Sequence, residues 1–154
     1  MPARPAHMRR AMRLRDRRIV ILAVAFVVIA IAPACGIRAG NVVLIPNGFR
    51  GWVVIRYNVS GAAELGHDGV KTLISVPESG AVFTSSDRPS GYARDEYYFV
   101  GGNDKRLRIT SDAEGCQTRK PCVQGFEYIT SPVKVTVFFV GTKQELPLYP
   151  RPNV

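Results

Sequence analysis

Eight short runs of β-branched and aromatic residues, each closed by turn-forming residues, constrain this chain more than any other feature. They are VVLI (42–45), WVVIRY (52–57), VKTLISV (70–76), AVFTS (81–85), EYYFV (96–100), KRLRIT (105–110), GFEYIT (125–130) and VKVTVFFV (133–140). Such side chains fill a pleated, half-buried surface well. The segments between them hold Pro46-Asn47-Gly48, Pro77-Glu78-Ser79-Gly80, Pro89-Ser90-Gly91, Gly101-Gly102-Asn103-Asp104 and Ser131-Pro132, residues that set or tolerate turn geometry. After residue 35 no stretch repeats apolar residues at helical spacing over three turns. The pattern predicts an all-β domain, a small sandwich or barrel. Roughly 120 residues of this kind suffice for one compact core.

Alternation predicts the buried faces. In WVVIRY, Val53, Ile55 and Tyr57 oppose Trp52, Val54 and Arg56, as in a central strand. In VKTLISV, Val70, Thr72, Ile74 and Val76 oppose Lys71, Leu73 and Ser75. In VKVTVFFV, Val133, Val135 and Val137 oppose Lys134 and Thr136. Phe138, Phe139 and Val140 then break the alternation, as in a strand covered on both sides near its end.

The first 35 residues read differently. RLRDRR (13–18) runs directly into IVILAVAFVVIAIA (19–32), a charged n-region and an apolar h-region of signal-peptide proportions. Three fates follow. Ala32-Pro33-Ala34-Cys35-Gly36 resembles a bacterial lipobox, which implies acylation of Cys35 after cleavage; Ala32 and Pro33 depart from that pattern. Ala32-Pro33-Ala34 is also an A-x-A site for ordinary secretion. Residues 19–37 also approach the ~20 needed for an uncleaved anchor. Cysteine parity favours the first. Cys116 and Cys122 lie close enough in sequence to pair, as exported proteins tend to do, and acylation consumes the thiol of Cys35. The expected organisation is a lipoprotein-type signal peptide (1–34), a short linker (35–41), a β-sandwich (42–145) and a Pro-rich tail (146–154).

The formal charge of +9 divides unevenly. Residues 1–34 hold seven arginines against Asp16, a net +6; the other 14 Lys and Arg against 11 Asp and Glu leave +3. The folded part has no run of like charges to track phosphates, which argues against nucleic acid as a partner.

The stretch LIPNGFRGWVVIRYNV (44–59), followed by VPESG (76–80), TSS (84–86), DEYYFV (95–100) and FFVGT (138–142), resembles an uncharacterised bacterial family of small exported or lipid-anchored proteins that carry a domain of unknown function. The resemblance spans nearly the whole chain after residue 42. It implies a cell-envelope protein and supplies no catalytic residue. The strand layout is similar to transthyretin-like (prealbumin-like), carboxypeptidase-regulatory or immunoglobulin-like sandwiches, a likeness of fold that carries no function.

Trp52, Arg94, Asp95, Glu96 and Tyr97 are the candidate ligand-binding residues. Trp52 is the sole tryptophan and could stack on a sugar or peptide, or anchor the core. Asp95 and Glu96 are neighbours on a strand and point to opposite faces, so they do not aim two carboxyls at one substrate. His67-Asp68 could activate a serine in a small envelope hydrolase, but no nucleophile-elbow motif accompanies them. C-x5-C with one His after residue 35 makes neither a zinc set nor a redox motif, and no cofactor pattern is present. The sequence therefore predicts an envelope lipoprotein acting as a binding module rather than an enzyme. It is expected to be held to the membrane through Cys35, in the outer membrane where the cell has one, with an envelope protein or peptidoglycan as partner. A hydrolase or a single-span structural protein are the alternatives.

Overall fold

The computed structural model describes residues 38–103 and 105–154. The leader, Cys35 and the lipid anchor expected there lie outside the described residues. Nine strands follow: β1 (Asn41–Pro46), β2 (Gly51–Arg56), β3 (Gly66–Asp68), β4 (Lys71–Ser75), β5 (Ala81–Phe83), β6 (Glu96–Val100), β7 (Arg106–Ser111), β8 (Cys122–Ile129) and β9 (Val135–Gly141). The described residues form no α-helix, only two short 3-10 turns, Asp112–Glu114 and Leu146–Leu148. The fold is all-β, of β-sandwich type.

The strands form one curled sheet in the order β3-β4-β1-β6-β7-β8-β9-β2-β5. The curl turns at β7. Residues 106–109 pair antiparallel with β6, and Thr110 and Ser111 pair parallel with Cys122 and Val123 of β8. One strand thus belongs to both layers. Val43, Ile45, Ile74, Tyr97, Phe99 and Ile109 from the first layer meet Val53, Ile55, Val82, Val123, Phe138 and Val140 from the second in a single core. The pairings β1–β4, β1–β6, β2–β5 and β7–β8 are parallel. Parallel neighbours need crossovers rather than hairpins, so strand order here departs from chain order and from the antiparallel sheets of immunoglobulin-type sandwiches.

Three expectations need correction. β3 lies outside the eight runs; three residues, GHD, carry no alternation to detect. Val70 is 85% exposed and belongs to the turn before β4, so the inward row of that strand is carried by Ile74 and Val76. In β9 every residue from Val135 to Gly141 is buried. The row containing Thr136, expected to face outward, is the one that continues into Phe138 and Val140 of the core. The opposite face is covered too. Phe139 packs edge-on against Trp52 and tilted against Tyr149, and the Trp52 indole N–H donates to the Tyr149 carbonyl at 3.2 Å. The C-terminal segment thus straps the outer face of β2 and β9.

Cys116 and Cys122 form a disulfide. Cys122 is fully buried at the start of β8, opposite Gly141 and Thr110. The bond closes a short loop onto the strand that joins the layers. Replacing both cysteines by alanine is expected to cost about 2 kcal/mol, the unfolded-chain entropy of so small a loop. Chemical denaturation of the double variant against the oxidised parent measures it.

Candidate functional site

At one end of the sandwich the two layers part around an open cavity of about 470 Å³. That end gathers the start of β1, the approach to β6, the end of β8 and the start of β9. Val43, Ile55, Ile74 and Phe138 form its apolar floor; Tyr57, Tyr97, Phe126 and Tyr128 line its walls; the segment from Arg88 to Ala93 covers one side. With Tyr92, four of the chain's six tyrosines and two of its seven phenylalanines line this one space. Its size lies within the range of small-molecule sites, about 300–1,000 Å³, and its lining joins an aromatic wall to a mouth of charged and polar side chains. A second cavity of about 450 Å³ adjoins it and shares Ala93, Asp95, Tyr97, Phe126 and Tyr128.

The polar groups at the mouth differ in how they are held. Asp95 is the clamp. Its carboxylate accepts from the Asn41 backbone N–H at 2.8 Å and from Asn41 Nδ2 at 3.1 Å, and Arg38 lies 3.5 Å away. These contacts tie the start of β1 to the start of β6. Lys134 is paired with Asp87. Arg88 is half-buried, with Nη1 donating to the Ile129 carbonyl at 3.0 Å and the Val135 carbonyl at 3.4 Å. Its guanidinium lies 5.7 Å over the Tyr128 ring. Burial raises the pKa of Tyr97, with the Asp95 charge adding to it. Burial likewise raises Tyr57, opposed by the Thr136 hydroxyl and the Arg88 charge. Both hydroxyls therefore stay protonated at neutral pH and can donate.

The raised tyrosines give a sign for alkaline stability. A folded-state pKa above the ordinary 10.0 means that the unfolded chain loses its proton first. The stabilisation is whole below pH 10 and is lost as pH rises above it toward the folded values. Thermal melts between about pH 9 and pH 11 are expected to fall steeply, and Tyr97→Phe is expected to flatten that fall.

The sequence candidates separate. Tyr97 and Asp95 reach both cavities, and Arg94 lines the second. Glu96 points the other way, to the outer face, where Lys71 pairs with it and the Tyr98 hydroxyl donates to it at 3.0 Å. The Lys71 hydrogen bond, then that from Tyr98, lowers its pKa. Trp52 lies under the C-terminal strap, away from the cavity lining. His67 is exposed on β3, and Asp68 pairs with Arg106. As strand neighbours they point to opposite faces, so the hydrolase pair does not assemble around one substrate. Among the described residues no three His, Cys, Asp or Glu are grouped to hold a metal, and no helix is long and apolar enough to cross a membrane. Arg88, Tyr57 and Tyr128 were not legible as site residues. Tyr57 and Tyr128 sit near strand ends and Arg88 in the loop between β5 and β6, each distant in sequence from the others, and only the closed sandwich brings them together.

Fold and cavity together define a class: a small β-sandwich domain with a ligand-sized aromatic cavity between its layers. Within that class the chain belongs to a family of unknown function, DUF6843, whose model matches residues 38–143. A solved structure described as "Putative Lipoprotein from Bacillus anthracis" shares the fold, with a TM-score of 0.52 at 21% identity over 69% of this chain and 72% of that one. Comparison with curated proteins found no match.

Proposed function

We propose that this protein is a cell-envelope lipoprotein, anchored through an acylated Cys35, whose sandwich presents the inter-layer cavity as a small-molecule binding site. The observation that carries the binding role is the concentration of aromatic side chains around one open cavity, in a domain whose candidate catalytic pair is not assembled. The anchor rests on the lipobox-like segment, on the consumption of Cys116 and Cys122 by each other, and on likeness of fold to a protein described as a lipoprotein.

Expression of the full-length gene in a bacterium, followed by intact mass of the membrane fraction, tests the anchor. The expected species begins at Cys35 and carries acyl mass, and Cys35→Ala abolishes it. An uncut chain, or one beginning at Cys35 without acyl mass, would sink the anchor and leave a single-span or freely secreted protein.

A further inference from the structure

The cavity's charge arrangement points to the kind of ligand. Three cations and one carboxylate line it: Arg38, Arg88 and Lys134 against Asp95. Arg38 is engaged with Asp95, and Lys134 with Asp87. The Arg88 guanidinium alone of the three cationic groups has no carboxylate partner among the described residues; from Arg88 the Asp87 carboxylate accepts only the backbone N–H. This guanidinium is nonetheless fixed: two backbone carbonyls hold Nη1 and the Tyr128 ring supports its plane. A guanidinium held in this way leaves its remaining N–H groups pre-oriented for a planar anion, which suits a carboxylate accepted through two parallel hydrogen bonds. One uncompensated positive charge matches one negative charge.

A second observation comes from the opposite layer. Asn41 is 7% exposed and lines the same cavity. Its Nδ2 donates to Asp95, while its Oδ1 is buried with no hydrogen-bond partner. A buried acceptor without a donor is costly, about 1–3 kcal/mol, and such groups call for an explanation. A hydroxyl or N–H entering the cavity would supply the donor after a small shift of the Asn41 side chain. Apart from Ser90 and Thr136, the side chains that remain in the lining are aromatic and aliphatic, fit for a flat apolar body.

We infer that the cavity binds an aromatic carboxylate that carries a hydrogen-bond donor on its ring system, with the carboxylate on Arg88, the ring among Tyr57, Tyr97, Phe126 and Phe138, and the donor toward Asn41. This rests on the reading of the cavity as a binding site and adds the class of ligand.

The test uses the full-length protein in nanodiscs of phosphatidylcholine, with empty nanodiscs as background, and two fluorescent probes in equilibrium dialysis: a hydroxynaphthoate and the matched hydroxynaphthamide, which has the same body without the charge. The acid is expected to bind at least about tenfold more tightly than the amide, the scale of one charge-assisted hydrogen-bonded contact. Arg88→Gln is expected to bring the acid down to the level of the amide. Equal binding of both probes by the parent protein would overturn the ligand class while keeping the cavity as a binding site. Binding of neither would overturn both. The comparison of acid with amide is made on the parent protein, so it stands even where Arg88→Gln loosens the 88–93 segment.

Discussion

Replacing Phe138 by alanine is expected to destabilise the domain by about 3–5 kcal/mol, the cost of removing a large aromatic side chain from a packed core. Phe138 is 2% exposed and sits in β9 opposite Val53. It is one of the places where the two layers touch. Its ring lies 5.8 Å from Tyr97 of the first layer, edge-on, and 5.5 Å from Phe126 of its own. Edge-on aromatic pairs add about 0.5–1.5 kcal/mol beyond area burial. Relaxation is limited, because Val53, Val137, Phe139 and Val140 around it are also fully buried. The same ring is part of the cavity floor, so the space it leaves is continuous with a void already present. Water can then enter, and the loss moves toward the upper end of that range. Urea denaturation of Phe138→Ala and Phe138→Leu measures it. The leucine variant keeps most of the volume and is expected to lose clearly less. Small losses in both variants would mean that the layers do not depend on this ring for contact.

That dependence explains what could and could not be read from the residues alone. Trp52, Val54 and Arg56 against Val53, Ile55 and Tyr57 alternate cleanly, and β2 buries the second set, because its inner face meets the core and its outer face is only partly covered. The same reasoning fails on β9. Phe139 lies under Trp52 and the Tyr149 strap, Val135 and Val137 of the same row are buried as well, and Thr136, Phe138 and Val140 form the other row, so both rows are buried and apolar alternation carries no sign. A strap supplied from residues 146–149 is invisible to a window centred on 133–140. Parallel pairing was equally hidden: Val43 neighbours both Ile74 and Tyr97, and nothing in three short runs specifies which edges meet. The candidate site was half legible for the same reason. Asp95 and Tyr97 share a face by strand periodicity, which separates them from Glu96. Arg88 owes its position to carbonyls some forty residues away, at Ile129 and Val135.

Two glycines with the same backbone handedness separate strain from crowding. Gly48 and Gly80 both adopt positive φ, 81° and 74°, so alanine at either is expected to lose about 1–2 kcal/mol from the left-handed conformation alone. Their surroundings differ. A Cβ on Gly48 meets nothing within 4 Å. A Cβ on Gly80 would lie 2.5 Å from the Trp52 carbonyl oxygen and 3.1 Å from the Phe49 ring. Gly80 closes the PESG turn, its N–H donating to the Pro77 carbonyl at 2.9 Å, and its own carbonyl accepts from Val54 N–H at 2.9 Å. Neither the turn nor β2 can retreat without breaking that bond and the start of the β2–β5 pairing. Overpacking against backbone adds about 1–3 kcal/mol, so Gly80→Ala is expected to cost about 2–5 kcal/mol in all. Denaturant midpoints of the two variants, measured side by side, decide it. A clear excess for Gly80→Ala locates the close approach of the turn to β2 as the reason for glycine at that place. Equal losses would show that the turn has room to move away from Trp52, and that handedness alone demands the residue.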